Sequence, residues 1–423
     1  MIACRASRSF KAAATYRQFS SSVLEDFPGA PSTSFYTPAV KPTSTTTTSS
    51  GLKITSSPNA TSSSVTLTFP AGSASETASQ TGAAHASKFL NFASTACGTS
   101  TVAHVHALEN AGCTTFHSHG RTSSMVGFTG SPEAAHDGSV LGILVKESAY
   151  AKWDVRDAIK YAKIESAEND TDTYGYLSSA IFAAGYGAHT PMGKPSDYSS
   201  ESGCNFDGIK EWRSNAYTTN GAHLCATGIA DHSAFVKSVE AAFAGANTKA
   251  IDTGAVGGYT GGESRFQGGS DGAHVAMAFD GSGVSAGERM VIKSFLEGQF
   301  GKEFSAEGFE SDGLVGLVGF SKGEEGGALV DAMSKAFEAL GKGGSDGAIE
   351  SAIKSAKADL AFDYGGSSRG EAKALSLGLG GGIESSAGSF KTAGGLVLKS
   401  GVSVASIGDI GSVPFWGTLK TRF

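Results

Sequence analysis

A long-period internal repeat constrains this 423-residue chain more than any other feature. Val65-Thr-Leu67-Thr-Phe69, followed by Gly72-Ser73, is echoed by Val275-Ala-Met277-Ala-Phe279 and Gly281-Ser282. Met125-Val-Gly-Phe128-Thr is echoed by Leu317-Val-Gly-Phe320-Ser, and Leu224-Cys-Ala-Thr-Gly228 by Val404-Ala-Ser-Ile-Gly408. The first pair alternates in the manner of half-buried strands. The offset between echoes falls from 210 residues (65 to 275) to 180 (224 to 404), so the first copy carries about 30 residues more. A repeat of this period specifies paired domains and not a solenoid.

Helical patterns separate the strand-like segments. Leu329, Met333, Phe337 and Leu340 form one apolar stripe, and Ile349, Ile353, Ala356 and Leu360 a second, divided by Gly341-Lys-Gly-Gly344. In the first copy, 151–165 and 174–184 read as helices, with acids and Asn as their connection. No strict βαβ alternation is present, so the fold class is α+β, two homologous domains each with a mixed sheet and packed helices. The expected limits are 51–250 and 273–423. The glycine-rich stretch 251–272 is read as linker, because its glycine pairs lack the strand–GxGxxG–helix context of a phosphate cradle.

A net charge of −7 argues against a nucleic-acid partner. No run of about 18 apolar residues offers a membrane span. Five widely spaced cysteines (Cys4, Cys97, Cys113, Cys204, Cys225) give neither a disulfide framework nor a CxxC clip. Residues 1–19 read as a mitochondrial transit peptide: Arg5, Arg8, Lys11 and Arg17 are basic, no acid precedes Glu25, and Arg17-Gln18-Phe19-Ser20 suits cleavage after Phe19. The Ser/Thr/Pro-rich stretch 20–50 reads as an arm or linker.

The stretch Gly82-Ala-Ala-His85-Ala-Ser-Lys88-Phe89-Leu90-Asn-Phe92, with Gly98-Thr99 after it, carries the chemistry. It resembles the GxAHFLEHxxF…GT segment of the inverzincin metallopeptidases, the family of pitrilysin, insulin-degrading enzyme and the mitochondrial processing peptidase. There HxxEH places two zinc-binding His on one helix face, and the Glu activates the bound water. Here His85 keeps the first ligand position, Lys88 takes the catalytic Glu position and Phe89 the second His position. A protonated lysine has no lone pair and repels a dication, and a phenyl ring cannot ligate zinc. The family's third ligand falls on Glu165 in one register and on Tyr161 in another. No catalytic residue, metal or cofactor is therefore expected.

His117 and His119 would share one strand face, with His104 and His106 close by, but no acid or Cys pattern fixes a metal geometry around them. GxSxG occurs at 268–272, 343–347 and 366–370 without the buried strand that a nucleophile elbow requires.

Across 51–423 the colinear pieces Trp153-Asp-Val, Lys163-Ile164, Tyr176–Ala184, His189-Thr-Pro191, Gly261-Gly-Glu263-Ser-Arg265 and Ala405–Phe415 resemble the core protein 2 branch of that family, subunits of mitochondrial ubiquinol–cytochrome c reductase (complex III). The resemblance implies a half-open bowl and a peripheral place on the matrix side of the inner membrane. It also implies a core protein 1-like partner, with cytochrome b, cytochrome c1 and Rieske subunits as neighbours. The alternative branch is the non-catalytic α subunit of the processing peptidase, which carries a long glycine-rich loop. The corresponding stretch Gly298–Ser305 is short and holds two glycines.

Overall fold

A computed structural model describes residues 42–423, apart from 59, 61, 146–147, 199–203, 251–256, 269–271, 301–303 and 324. The transit peptide expected over 1–19 and the arm as far as residue 41 lie outside the described residues.

The strands form two sheets. The first comprises β1 (Ser44–Thr47), β2 (Lys53–Ser57), β3 (Ser63–Phe69), β4 (Thr114–His119), β5 (Ser124–Gly130) and β6 (His223–Thr227), in the order β1-β2-β6-β3-β5-β4. The second comprises β7 (Gly262–Gln267), β8 (Gly272–Asp280), β9 (Ser305–Ser311), β10 (Leu314–Lys322) and β11 (Ser403–Gly408), in the order β7-β11-β8-β10-β9. Apart from β1 the two orders are identical. In each, a parallel pair (β2–β6, β7–β11) continues into three antiparallel pairings. The α+β reading and the duplication both hold.

The three sequence echoes land on equivalent strands, with one slip. Leu67 faces Leu224 and Val126 across the ladder, and Met277 faces Val404 and Leu317. The equivalent of Leu317 is thus Val126, one residue along from the Met125 that sequence similarity selects. A one-residue slip reverses every side chain. Phe128 is buried in the first core, whereas Phe320 lies half-buried against His274 on the opposite face. The glycine-rich stretch 251–272 is also not all linker, because it contains β7 and the first residue of β8.

Each sheet buries one face under helices of its own half. Ile54, Val65, Leu67, Val126, Phe128 and Leu224 pack against Phe235 and Val239 of the helix His232–Ala242. Met277, Phe279, Leu317 and Val404 pack against Phe295, Phe337 and Phe390 from three helices. These helices, Ala286–Gln299, Gly326–Gly341 and Ala387–Leu398, include the predicted stripe of Leu329, Met333 and Phe337. The second predicted stripe is the helix Asp346–Asp363.

The other faces are covered by exchange. The helix Thr173–Tyr186 of the first half lays Leu177, Ile181 and Phe182 on Ala276, Ala278 and Ala405 of the second sheet. The helix Ser368–Ser376 of the second half lies on β3 and β6 of the first sheet. Ser57 Oγ donates to Glu371 Oε1 (2.6 Å), Thr227 Oγ1 donates to the Ser368 carbonyl (3.2 Å), and Ser62 and Ser368 hydroxyls lie 2.8 Å apart. Small residues make this close approach feasible. A Cβ at Gly185 would stand 2.6 Å from the Tyr259 ring and 2.8 Å from Ser403 Oγ.

Candidate functional site

The short helix Ala83–Lys88 positions His85 and Lys88. It starts at Gly82, whose φ of +85° suits glycine, and a Cβ there would stand 2.7 Å from the Tyr198 ring. Glu76 closes the start of this helix, accepting from the Gly82 and Ala84 amides at 3.0 and 2.7 Å. Its side chain is fully buried, and burial pushes its carboxyl up to about 7 against the pull of Lys194.

Facing that helix is the long helix Lys152–Thr171. The acids and Asn expected to form a connection are its last turns, because the only break is Asp172, which caps the next helix by accepting from the Gly175 amide. Glu165 and Asn169 consequently share one face, four residues apart. Lys88 Nζ donates to Glu165 Oε1 at 2.6 Å, and His85 Nε2 lies 3.1 Å from Oε2. Burial raises the Glu165 carboxyl, but the Lys88 and His85 hydrogen bonds outweigh it and hold it below the usual range. Glu165 thus fills the third-ligand position. Tyr161, the rival register, is half exposed and rests against Phe89 (5.8 Å).

His117 and His119 share a face of β4, as their alternation predicts, and His119 completes the site. Its ring stacks on His85 at 4.3 Å with a 9° interplanar angle, and its Nε2 lies 3.2 Å from Asp197 Oδ1. Asn169 Nδ2 donates to the other Asp197 oxygen at 2.8 Å. Burial raises Asp197, yet the His119 and Asn169 hydrogen bonds hold its carboxyl well below the ordinary range. Asp197 was not legible in the sequence: it lies in a loop far along the chain, with no motif around it. His104 and His106 are elsewhere, on the helix Thr101–Asn110, where His104 is buried against the Ala93 carbonyl (3.2 Å) and His106 is exposed. Of the GxSxG serines, Ser345 caps a helix and Ser368 begins the exchanged helix. Ser270 lies outside the described residues.

A cleft of about 510 Å³ opens beside this cluster, lined by Lys88, His119, Glu165 and Asp197 of the first half and by Ser311 and Asp312 of the second. Asp312 ties the halves at its rim, accepting from the Arg121 amide (3.1 Å) and the Thr122 hydroxyl (2.7 Å). The Arg121 guanidinium is buried over the Phe182 ring at 4.3 Å, and burial lowers it to about 10, which leaves it protonated at neutral pH.

The zinc ion implied by the HxxEH family does not fit these residues. The Tyr198 amide donates to His85 Nδ1 at 3.0 Å, so that nitrogen is the unprotonated one and Nε2 carries the proton shared with Glu165. The ring therefore offers no free lone pair. Burial first, then the nearby His119 and Lys88, lowers His85 to about 4, so the ring is neutral. Lys88 places a cation against the Glu165 carboxylate. His85, His119 and Asp197 do cluster within 4.8 Å. Ring lone pairs lie in the ring plane, however, and two parallel stacked rings cannot converge on one ion. The arrangement is a hydrogen-bonded stack.

No family model matches the chain. Two proteins of Arabidopsis thaliana, described as probable mitochondrial-processing peptidase subunits alpha-2 and alpha-1, align at 26% identity over 166 residues and 27% over 169. Each alignment covers 39% of this chain, and the chain spans about a third (33%) of the length of these curated relatives. A chain of complex III2 from Candida albicans superposes with a TM-score of 0.71 at 15% identity, covering 90% of this chain and 99% of that one. The structural likeness shows that this chain shares the fold of that Candida albicans chain, and the alignments show that part of it is similar in sequence to the processing-peptidase α subunits.

Proposed function

We propose that the chain is a non-catalytic core subunit, of the core protein 2 type, in mitochondrial ubiquinol–cytochrome c reductase. One observation carries the non-catalytic reading: the Lys88 ammonium occupies the place of the general base, 2.6 Å from the surviving ligand carboxylate of Glu165. A cation there can neither accept a proton from water nor tolerate a dication beside it. The likeness to a chain of complex III2 supports the assembly. The short Gly298–Ser305 stretch favours a core protein over a processing-peptidase α subunit. On this reading the chain pairs with a core protein 1-like subunit and supports cytochrome b, cytochrome c1 and the Rieske subunit. It sits peripherally on the matrix side of the inner membrane, and segment 1–19 is its import signal. Among the described residues no helix is long and apolar enough to cross a membrane.

The second reading is an α-type processing-peptidase subunit that binds presequences, and the match to the Arabidopsis α subunits favours it. A haem-stained native gel of mild-detergent extracts, with mass spectrometry on each band, decides between them. The proposal expects this chain at one-to-one ratio with cytochromes b and c1. A haem-free, zinc-containing heterodimer overturns it in favour of the α-type role.

A further inference from the structure

The geometry points to the outer edge of β7 as a docking site for an extended, uncharged strand supplied by another polypeptide. The two sheets match strand for strand except that β1 pairs with the outer edge of β2, whereas among the described residues no strand pairs with the outer edge of β7. The equivalence is close. The Lys53 amide donates to the Ala222 carbonyl (3.0 Å), as the Gly262 amide does to Val402 (3.3 Å). At the far end of β7 the Gly268 amide donates to Gly408 (3.3 Å). Since Gly262 and Gly268 face β11, alternation along a parallel ladder turns the main-chain groups of Glu263, Arg265 and Gln267 outward. Their counterparts on β2 include Ile54 and Ser56, which β1 pairs antiparallel.

Exposed edges are normally defended by proline, bulges or outward charge. Sequence Gly262-Glu-Ser-Arg-Phe-Gln267 has no proline, and its two charges are spent on each other. Arg265 Nη1 donates to Glu263 Oε1 (2.7 Å), while Nη2 donates to the Ile410 (2.8 Å) and Val413 (3.1 Å) carbonyls. By contrast β9, at the other end of this sheet, presents the exposed Glu307. Aromatic rings flank β7 on both faces. Phe266, 52% exposed, lies against Tyr176, and Phe415, 68% exposed, lies beneath the Arg265 guanidinium at 4.5 Å. An added strand therefore gains main-chain hydrogen bonds from the edge and apolar contact from each side, the usual mode of strand addition. With both local charges neutralised, a neutral strand suits this edge, as Ser44-Thr-Thr-Thr47 suits β2.

Amide hydrogen exchange over 262–268 tests this, comparing the isolated full chain at low and high concentration with the chain in its native assembly purified in mild detergent. The expected result is fast exchange of the outward amides in the isolated chain at both concentrations and about 100-fold slowing in the assembly. Gln267→Pro, which removes an outward donor and no ladder bond, is expected to abolish the slowing. Equal rates in isolated chain and assembly overturn the proposal. Slowing in the dilute isolated chain assigns the edge to the chain's own segment, and slowing that grows with concentration assigns it to a second copy; both overturn it. Slowing that persists with Gln267→Pro rules out a hydrogen-bonded strand. The result does not depend on which proteins form the assembly.

Discussion

Lys88 and Glu165 stand 2.6 Å apart, the ammonium 8% exposed and the carboxylate 38% exposed. The asymmetry in burial decides which partner is harder to lose. Removing Glu165 leaves a buried ammonium uncompensated, whereas removing Lys88 leaves a carboxylate that water reaches. Glu165→Ala is expected to cost roughly 2–3 kcal/mol and Lys88→Met about 1 kcal/mol or less, read as urea midpoints at pH 7. The reverse order would show that the ammonium is solvated in solution.

Metal binding follows from the same pair. The unmodified chain is expected to hold no stoichiometric zinc after dialysis. Lys88→Glu combined with Phe89→His restores the HxxEH donors opposite Glu165 and is expected to bind about one equivalent by atomic absorption. Binding requires His85 to give up the Nε2 proton it shares with Glu165, so the restored affinity is expected to weaken as pH falls. Stoichiometric zinc in the unmodified chain would refute the assignment of the site as metal-free.

Two buried groups on or beside the His85 helix pull pH dependence in opposite directions. His85, lowered to about 4, binds its proton less tightly folded than unfolded. Its contribution is present above the unfolded value near 6.5 and is lost as pH falls towards 4. Glu76, raised to about 7, binds its proton more tightly folded. Its contribution is fully present below the unfolded value near 4.3 and is lost as pH rises through 7. Between about pH 4.5 and 6.5 the two slopes oppose each other. Glu76→Gln is therefore expected to steepen the rise of stability with pH by about one proton, or ~1.4 kcal/mol per pH unit. An unchanged slope in denaturation curves at pH 4.5, 5.5 and 6.5 would exclude Glu76 as the opposing group.

The helix exchange predicts how the halves behave alone. Expressed separately, 42–250 and 257–423 each leave a sheet face uncovered and carry one helix with nothing to cover. Each is expected to be aggregation-prone or molten by near-ultraviolet dichroism, and co-expression is expected to recover a complex melting in one transition. Two independently cooperative halves would contradict the exchange.

Much of the fold was legible because apolar alternation and helical stripes are local signals. The echoes of Val65–Phe69, Leu224–Gly228 and the stripe Leu329–Leu340 fell on the elements they specify. The register of β5 against its counterpart was misjudged because Met125 and Leu317 look alike, while the strand ladder, which is non-local, pairs Val126 with Leu67. Strand β7 was hidden by the glycines around it and by charges that a local pattern reads as polar loop. At the site, His85, Lys88, Phe89 and Glu165 were found through motif spacing. Asp197, Tyr198 and Glu76 were not, since each acts through a tertiary contact that leaves no periodicity.

The exchanged helices also set a timetable for synthesis. The first sheet emerges from the ribosome by residue 227, yet the helix that seals its outer face, Ser368–Ser376, follows some 140 residues later. At about 5–20 residues per second that interval lasts roughly seven to thirty seconds. Throughout it β3 and β6 present a nascent surface awaiting a segment not yet made. The chain is thus committed to late closure of that face, and to any chaperone that shields it in the interim.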